Sequence, residues 1–172
     1  MKNIIRKVRE AAGREDGQSL VEFALIVPLM AVILFGLVEV GNAFTVAHGL
    51  STISREGANI AARGTQLDTV LTVVMATGSE FGLPTRGGSI ATEVTVQSGV
   101  PMVTAQTASS GYAGQSRIGA LGAPATQLSG IGLSEGTTHY VVEVFFDYQS
   151  ITPLSNFVSD VVPSPIYERA VF

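Results

Sequence analysis

The 172 residues leave room for one modest domain beside a membrane segment, and 46% hydrophobic against 14% charged residues suits an anchored chain better than a freely soluble one. The chain has no cysteine, which excludes disulfides and thiolate metal sites but does not decide the compartment. Residues 1–17 carry five basic and three acidic groups, net +2, whereas residues 18–172 carry five basic and eleven acidic, net −6, a balance that argues against nucleic acid as a partner.

The basic groups of the first segment are Lys2, Arg6, Lys7, Arg9 and Arg14. Positive flanks stay cytoplasmic, so the N-terminus is expected inside and the C-terminal part outside. Residues 20–38 follow as an apolar run interrupted only by Glu22, Pro28, Gly36 and alanines. At 1.5 Å per residue this run gives about 28 Å of helix, close to the roughly 30 Å hydrocarbon core of a bilayer. Glu39, Val40 and Gly41 beyond it do not form the small-residue cleavage site of a secretory signal. Cleavage before the run, after Gly17, is the better candidate. Glu22 then sits just inside a membrane-length helix, where a charge is costly and calls for a partner or a processing role. Pro28 lacks an amide hydrogen and crowds the carbonyl of Ala24, which predicts a helix kink.

Apolar and small residues continue at helical steps through Val40, Phe44, Ala47, Leu50 (or Ser51), Ile53 (or Ser54), Ala58 and Ala61, with Arg63 and Gly64 as stop signals. The spacing predicts one helix over residues 19–63, about 67 Å long, too long for the core helix of a small domain. Gly36, Gly41, Gly49 and Gly57 punctuate it. Small residues allow close helix approach, so these glycines are expected to serve stem packing. His48 stands alone and reads as solvated or packed rather than as a ligand.

Residues 67–77 read as a second helix with Asp68 near its start, although their Thr and Val content leaves a strand open. Residues 89–97 alternate and read as a strand. Residues 139–149 give the strongest strand, with Tyr140, Val142, Val144, Phe146 and Tyr148 on one face. Glu143 and Asp147 mark the other face as one that meets water. Residues 109–138, rich in Gly, Ser, Ala and Thr, are expected to form a long loop, either mobile or ordered only by its neighbours. Pro153, Pro163 and Pro165 break regular structure, and residues 166–172 are placed to dock on the stem.

Catalytic signals are weak. Gly132, Ser134 and Gly136 match G-x-S-x-G, but the flanks are a glycine-rich loop and a strand, and His139 follows with no intervening aspartate, so a turn is the expected reading. Two histidines and no cysteine do not make a zinc site, and no phosphate-binding glycine loop is present. The chain is expected not to be an enzyme and to need no metal or other cofactor.

Taken together, Gly17, Gln18, Glu22, Phe23, Pro28, Gly36, Glu39 and Gly41, with Arg55, Glu56, Gly57, Ala58, Ala61, Ala62 and Arg63, resemble the TadE family, pilin-like minor components of tight-adherence (Flp-type) pilus systems. The resemblance covers about residues 15–64 and returns weakly near residues 141–153 and 165–172. It implies that a membrane-embedded prepilin peptidase cuts between Gly17 and Gln18. Glu22 and Phe23 then serve peptidase recognition and subunit assembly, Glu22 pairing with the new terminal amine of a neighbouring subunit. The implied partners are the bacterial inner membrane, the prepilin peptidase, other pilin-like subunits with the major pilin, and the assembly platform protein. The implied place is a single-pass inner-membrane protein, N-terminus cytoplasmic, open to incorporation into a surface pilus.

The organisation expected is a basic leader over residues 1–17, a membrane helix and stem over 18–64, and a small extracytoplasmic head over 65–172. The fold class is α+β, a long membrane-spanning stem with a small head of antiparallel strands. The rival reading is an uncleaved anchored protein whose extracytoplasmic head binds a partner or serves adhesion, supported chiefly by the glycine-rich loop.

Overall fold

A single helix, α1 (Lys2–Ala62), takes up the leader, the apolar run and the amphipathic stretch in the computed structural model. The backbone is described for residues 2–128, 130, 132–153, 162 and 164–172, and side chains from residue 17 onward within these. At 61 residues, α1 is about 90 Å long, and it passes Pro28 without a break in its helical assignment. It ends where Gly64 takes a left-handed φ of 90° and donates its amide to the Ala61 carbonyl. The expected boundary between leader and stem therefore falls within one continuous helix. Pro163 lies outside the described residues.

The head follows as α2 (Leu67–Thr77), a short helical turn α3 (Leu83–Arg86), and strands β1 (Gly87–Gln97), β2 (Val100–Ala108), β3 (Thr138–Phe146) and β4 (Ile166–Val171). The strands form one antiparallel sheet in the order β2-β1-β3-β4. The α+β architecture expected from the sequence is the one observed, and α2 settles the ambiguity at residues 67–77 in favour of helix. β2 has no counterpart in the sequence reading. It arises because Ser98 and Gly99 both adopt positive φ, 53° and 76°, which a tight two-residue hairpin of primed type requires. Glu135 steadies that turn by accepting the amides of Ser98 and Gly99 at 2.7 and 2.6 Å.

The outer part of α1 is the central helix of the head. Val46, Leu50, Ile53, Ala58 and Ala61 are buried against Val70, Leu71 and Val74 of α2 and against Val142, Val144 and Phe146 of β3. Burying a Val, Leu or Ile side chain completely contributes about 1.5–3 kcal/mol, so this stripe is the main glue of the domain. Two expectations for the stem are corrected here. A stem of this length does serve as a core helix, because only its outer half enters the head. Val40 and Phe44 do not share the buried stripe, being 42% and 72% exposed. Six residues separate Phe44 from Leu50, about 120° out of phase on a helix with 3.6 residues per turn.

The far face of the sheet is covered as well. Ile118, Ala125 and Leu128 from the long loop pack on Val94, Val103 and Val141 and make a second, smaller core. The loop also pairs with the outer edge of β2 through amide bonds of Val103 to Ala123 and of Ala125 to Pro101. Glu143 is therefore fully buried rather than solvated, and the expectation that its face meets water fails there. The loop holds few large apolar anchors, but two of them, Ile118 and Leu128, suffice to seat it. Asp147, past the end of the strand, is exposed as expected.

Candidate functional site

The residues singled out near the N-terminus lie along the free part of α1. Gly17 and Gln18 are consecutive helical residues, both exposed, and the space around a Cβ at Gly17 is open. The Gln18 side-chain amide donates to Glu22 Oε1 at 2.9 Å, the one-turn spacing of a helix. Phe23 is 68% exposed beside it. From Leu20 to Val38 nearly every apolar side chain points away from other protein atoms, as Leu25, Leu29, Ile33 and Leu37 illustrate. Among the described residues, one stretch of helix, Gly17–Ala62 of α1, is long and apolar enough to cross a membrane, and its most apolar window has no buried residue. Water would penalise such a surface, whereas a hydrocarbon surrounding or neighbouring helices would not.

The stem glycines divide into two pairs. Around Gly36 and Gly41 there is open space, so a neighbouring helix could approach the backbone there. Gly49 and Gly57 are filled by the chain's own head. The ring of Phe81 sits on Gly49, and a Cβ added at Gly57 would come 2.6 Å from Cγ2 of Val74 and 3.3 Å from Cγ1 of Val142. These two glycines let α2 and the sheet close on the stem within one chain.

Two buried carboxylates hold the head together, and the sequence reading assigned a role to neither. Glu39, the first residue after the apolar run, is fully buried. Its carboxylate accepts the Tyr148 hydroxyl at 2.7 Å, the Ile151 amide at 3.2 Å and the Thr152 amide at 3.1 Å. Asn42, one turn further along α1, donates to the same hydroxyl at 2.9 Å. The turn that follows β3 is thus fastened to the stem at the outer limit of the apolar run. The available signal was an acid directly after that run, with a tyrosine on the core face of the strongest strand.

Glu143 is the second. Its carboxylate accepts the Arg117 amide and the Tyr167 hydroxyl, each at 2.9 Å, and the Ser116 hydroxyl at close range. The Arg117 guanidinium lies 4.3 Å from the Tyr167 ring centroid, and Phe145 stacks on Tyr112 at 5.4 Å and meets Tyr167 at 5.1 Å. Burial, followed by the Glu143 charge, pushes the Tyr167 phenol well above its ordinary value of 10.0, so it remains a donor. This constellation pins the loop to the sheet.

Between the stem and β4 lies an apolar groove of about 350 Å³, lined by Val40, Ala43, Phe44, Ala47 and Ile166 among others. Among the described residues, no three His, Asp or Glu side chains converge as a metal would need. Ser134 lies in irregular backbone and Gly136 in the turn just before β3, in place of the strand-to-helix elbow of a hydrolase.

Residues 17–59 match the family model described as TadE-like protein, the stretch that holds the Gly17 to Phe23 motif, the apolar run and most of the stem. Searches of curated proteins and of solved structures returned no match.

Proposed function

We propose that this chain is a pilin-like minor component of a tight-adherence pilus machine, held in the bacterial inner membrane by α1 with the head outside. The observation that carries this reading is the match to a TadE-like protein over residues 17–59. Its support is physical as well. The matched stretch includes residues 20–38, whose apolar side chains the head leaves uncovered.

On this reading a prepilin peptidase removes residues 1–17, and Gln18 becomes the terminal amine of the mature subunit. The new ammonium and Glu22 are both poorly solvated near the membrane surface. Pairing the ammonium of one subunit with Glu22 of its neighbour neutralises both and sets axial register, and removing one partner of such a pair costs about 3–5 kcal/mol. Phe23 beside Glu22 contributes to recognition and packing, and the open backbone at Gly36 and Gly41 offers the close approach that lateral packing with other pilin-like subunits needs. The work is mechanical: extraction and side-by-side packing of a helix, guided by an assembly platform protein, without catalysis. The rival reading, an uncleaved anchored binding or adhesion protein, leaned on the glycine-rich loop, and Ile118, Ala125 and Leu128 of that loop are spent inside the head.

The test is Glu22→Ala in cells expressing the processing and assembly machinery. Co-purification with the other pilin-like subunits should fall at least tenfold, the loss expected from a few kcal/mol. Unchanged co-purification would remove Glu22 from the assembly mechanism.

A further inference from the structure

We propose that the base of the head is a second membrane contact: the turn at residues 148–153, led by Ile151, rests in the interfacial zone of the bilayer that α1 crosses. The inference depends on residues 20–38 spanning that bilayer. It adds a lipid-facing surface on the head that the anchor alone does not imply.

Height comes first. A run of 19 residues at 1.5 Å each nearly matches a hydrocarbon core of about 30 Å, which puts Glu39 at the boundary between acyl chains and headgroups. Glu39 accepts the amides of Ile151 and Thr152, so the turn lies at that same height.

Chemistry agrees with height. Ile151 is 62% exposed, with Pro153 exposed beside it, although the Ile151 and Thr152 amides bond to the stem and the Ser150 hydroxyl donates to the Thr152 carbonyl within the turn. The exposed stripe of α1 continues upward from Ile33 and Leu37 through Val40 to Phe44, which is 72% exposed. Phe44 stands about 9 Å along the helix from Val38, within the depth of about 5–10 Å to which amphipathic elements bury in the interface. Ile151 and Phe44 thus prolong the surface of the membrane helix onto the head. The carboxylate that would otherwise make this level expensive is fully covered and hydrogen-bonded by the turn itself. Asp147 and Gln149, exposed on the same segment, stay with the headgroups. The occupant is the acyl-headgroup boundary of a bilayer, reached by apolar insertion and so independent of anionic lipid.

The chain contains no tryptophan, which makes single-tryptophan variants direct probes of depth. Ile151→Trp, Leu29→Trp and Leu121→Trp all change well exposed side chains. Each full-length variant is reconstituted in phosphatidylcholine vesicles with lipids brominated at shallow or deep acyl positions. Shallow bromines should cut the emission of Ile151→Trp about twofold, deep bromines should do the same to Leu29→Trp, and Leu121→Trp should respond to neither and be quenched by aqueous iodide. If Leu29→Trp is quenched while Ile151→Trp behaves as Leu121→Trp does, the head stands clear of the lipid and the proposal fails with the anchor intact. If Ile151→Trp is shielded from both bromolipid and iodide, a second protein surface covers the turn, and the proposal fails. Loss of deep quenching in Leu29→Trp overturns the membrane span itself and this inference with it.

Discussion

Glu39 and Glu143 occupy buried positions that a carboxylate can hold only because each collects several donors. Hydrogen bonds to a charged group contribute about 1.5–3 kcal/mol, and stranding their donors costs a similar amount. Replacing Glu39 with Ala should therefore open the turn after β3, speeding amide exchange at Ile151 and Thr152 by about ten- to a hundredfold while the strands exchange nearly as before. Unaltered exchange at both amides would mean that the carboxylate does not hold the turn. Tyr167 sets a pH limit. Its phenol is pushed upward by burial first and by the charge of Glu143 next, and Tyr112 is pushed the same way by burial and then Asp147. A folded-state pKa raised above the unfolded value gives stability that is complete below the unfolded pKa and is lost as pH rises toward the folded one. Urea denaturation of the full chain in detergent should thus give a stability unaffected by these tyrosines up to about pH 10 and falling above it. A rise in stability above that pH would contradict the assignment.

At the scale of elements, the stem glycines separate into positions with opposite responses to the same change. Gly41→Ala should stabilise α1 by up to about 1 kcal/mol through helix propensity, because nothing stands where the new Cβ would go. Gly57→Ala gains the same propensity but drives a Cβ into Val74, an overpacking cost of about 1–3 kcal/mol, and should lower the denaturation midpoint. If both variants shift the midpoint the same way, the close approach of α2 to the stem is not tight. The long helix and the two best strands were legible because their periodicities are strong, whereas the Thr and Val content of residues 67–77 left helix and strand both open. β2 was less so: Pro101 interrupts its pattern, yet proline is tolerated on an edge strand, and Ser98-Gly99 was the turn signal that separates it from β1. The burial of Glu143 could not be read from its strand, because the cover comes from a loop whose composition resembles a solvated linker. The phase error at Val40 and Phe44 has a similar origin. Both residues are exposed rather than in the protein core, so periodicity alone merged two faces of one helix.

At the scale of the molecule, a helix of 61 residues divides its surface between two surroundings. Its outer half organises the head, and residues 20–38 present an apolar surface that the head does not cover. Gly17, Gln18, Glu22 and Phe23, which the sequence singles out, lie on the uncovered part of the helix, clear of the head. The carboxylate clamp was not legible in the sequence, since it joins residues more than a hundred positions apart. The central claim is that this helix is released from its leader to pack beside other subunits. N-terminal sequencing or intact mass of the protein from cells with an active prepilin peptidase tests it most directly. The account predicts a chain that begins at Gln18, and a chain that still carries Lys2, Arg6 and Lys7 would contradict it.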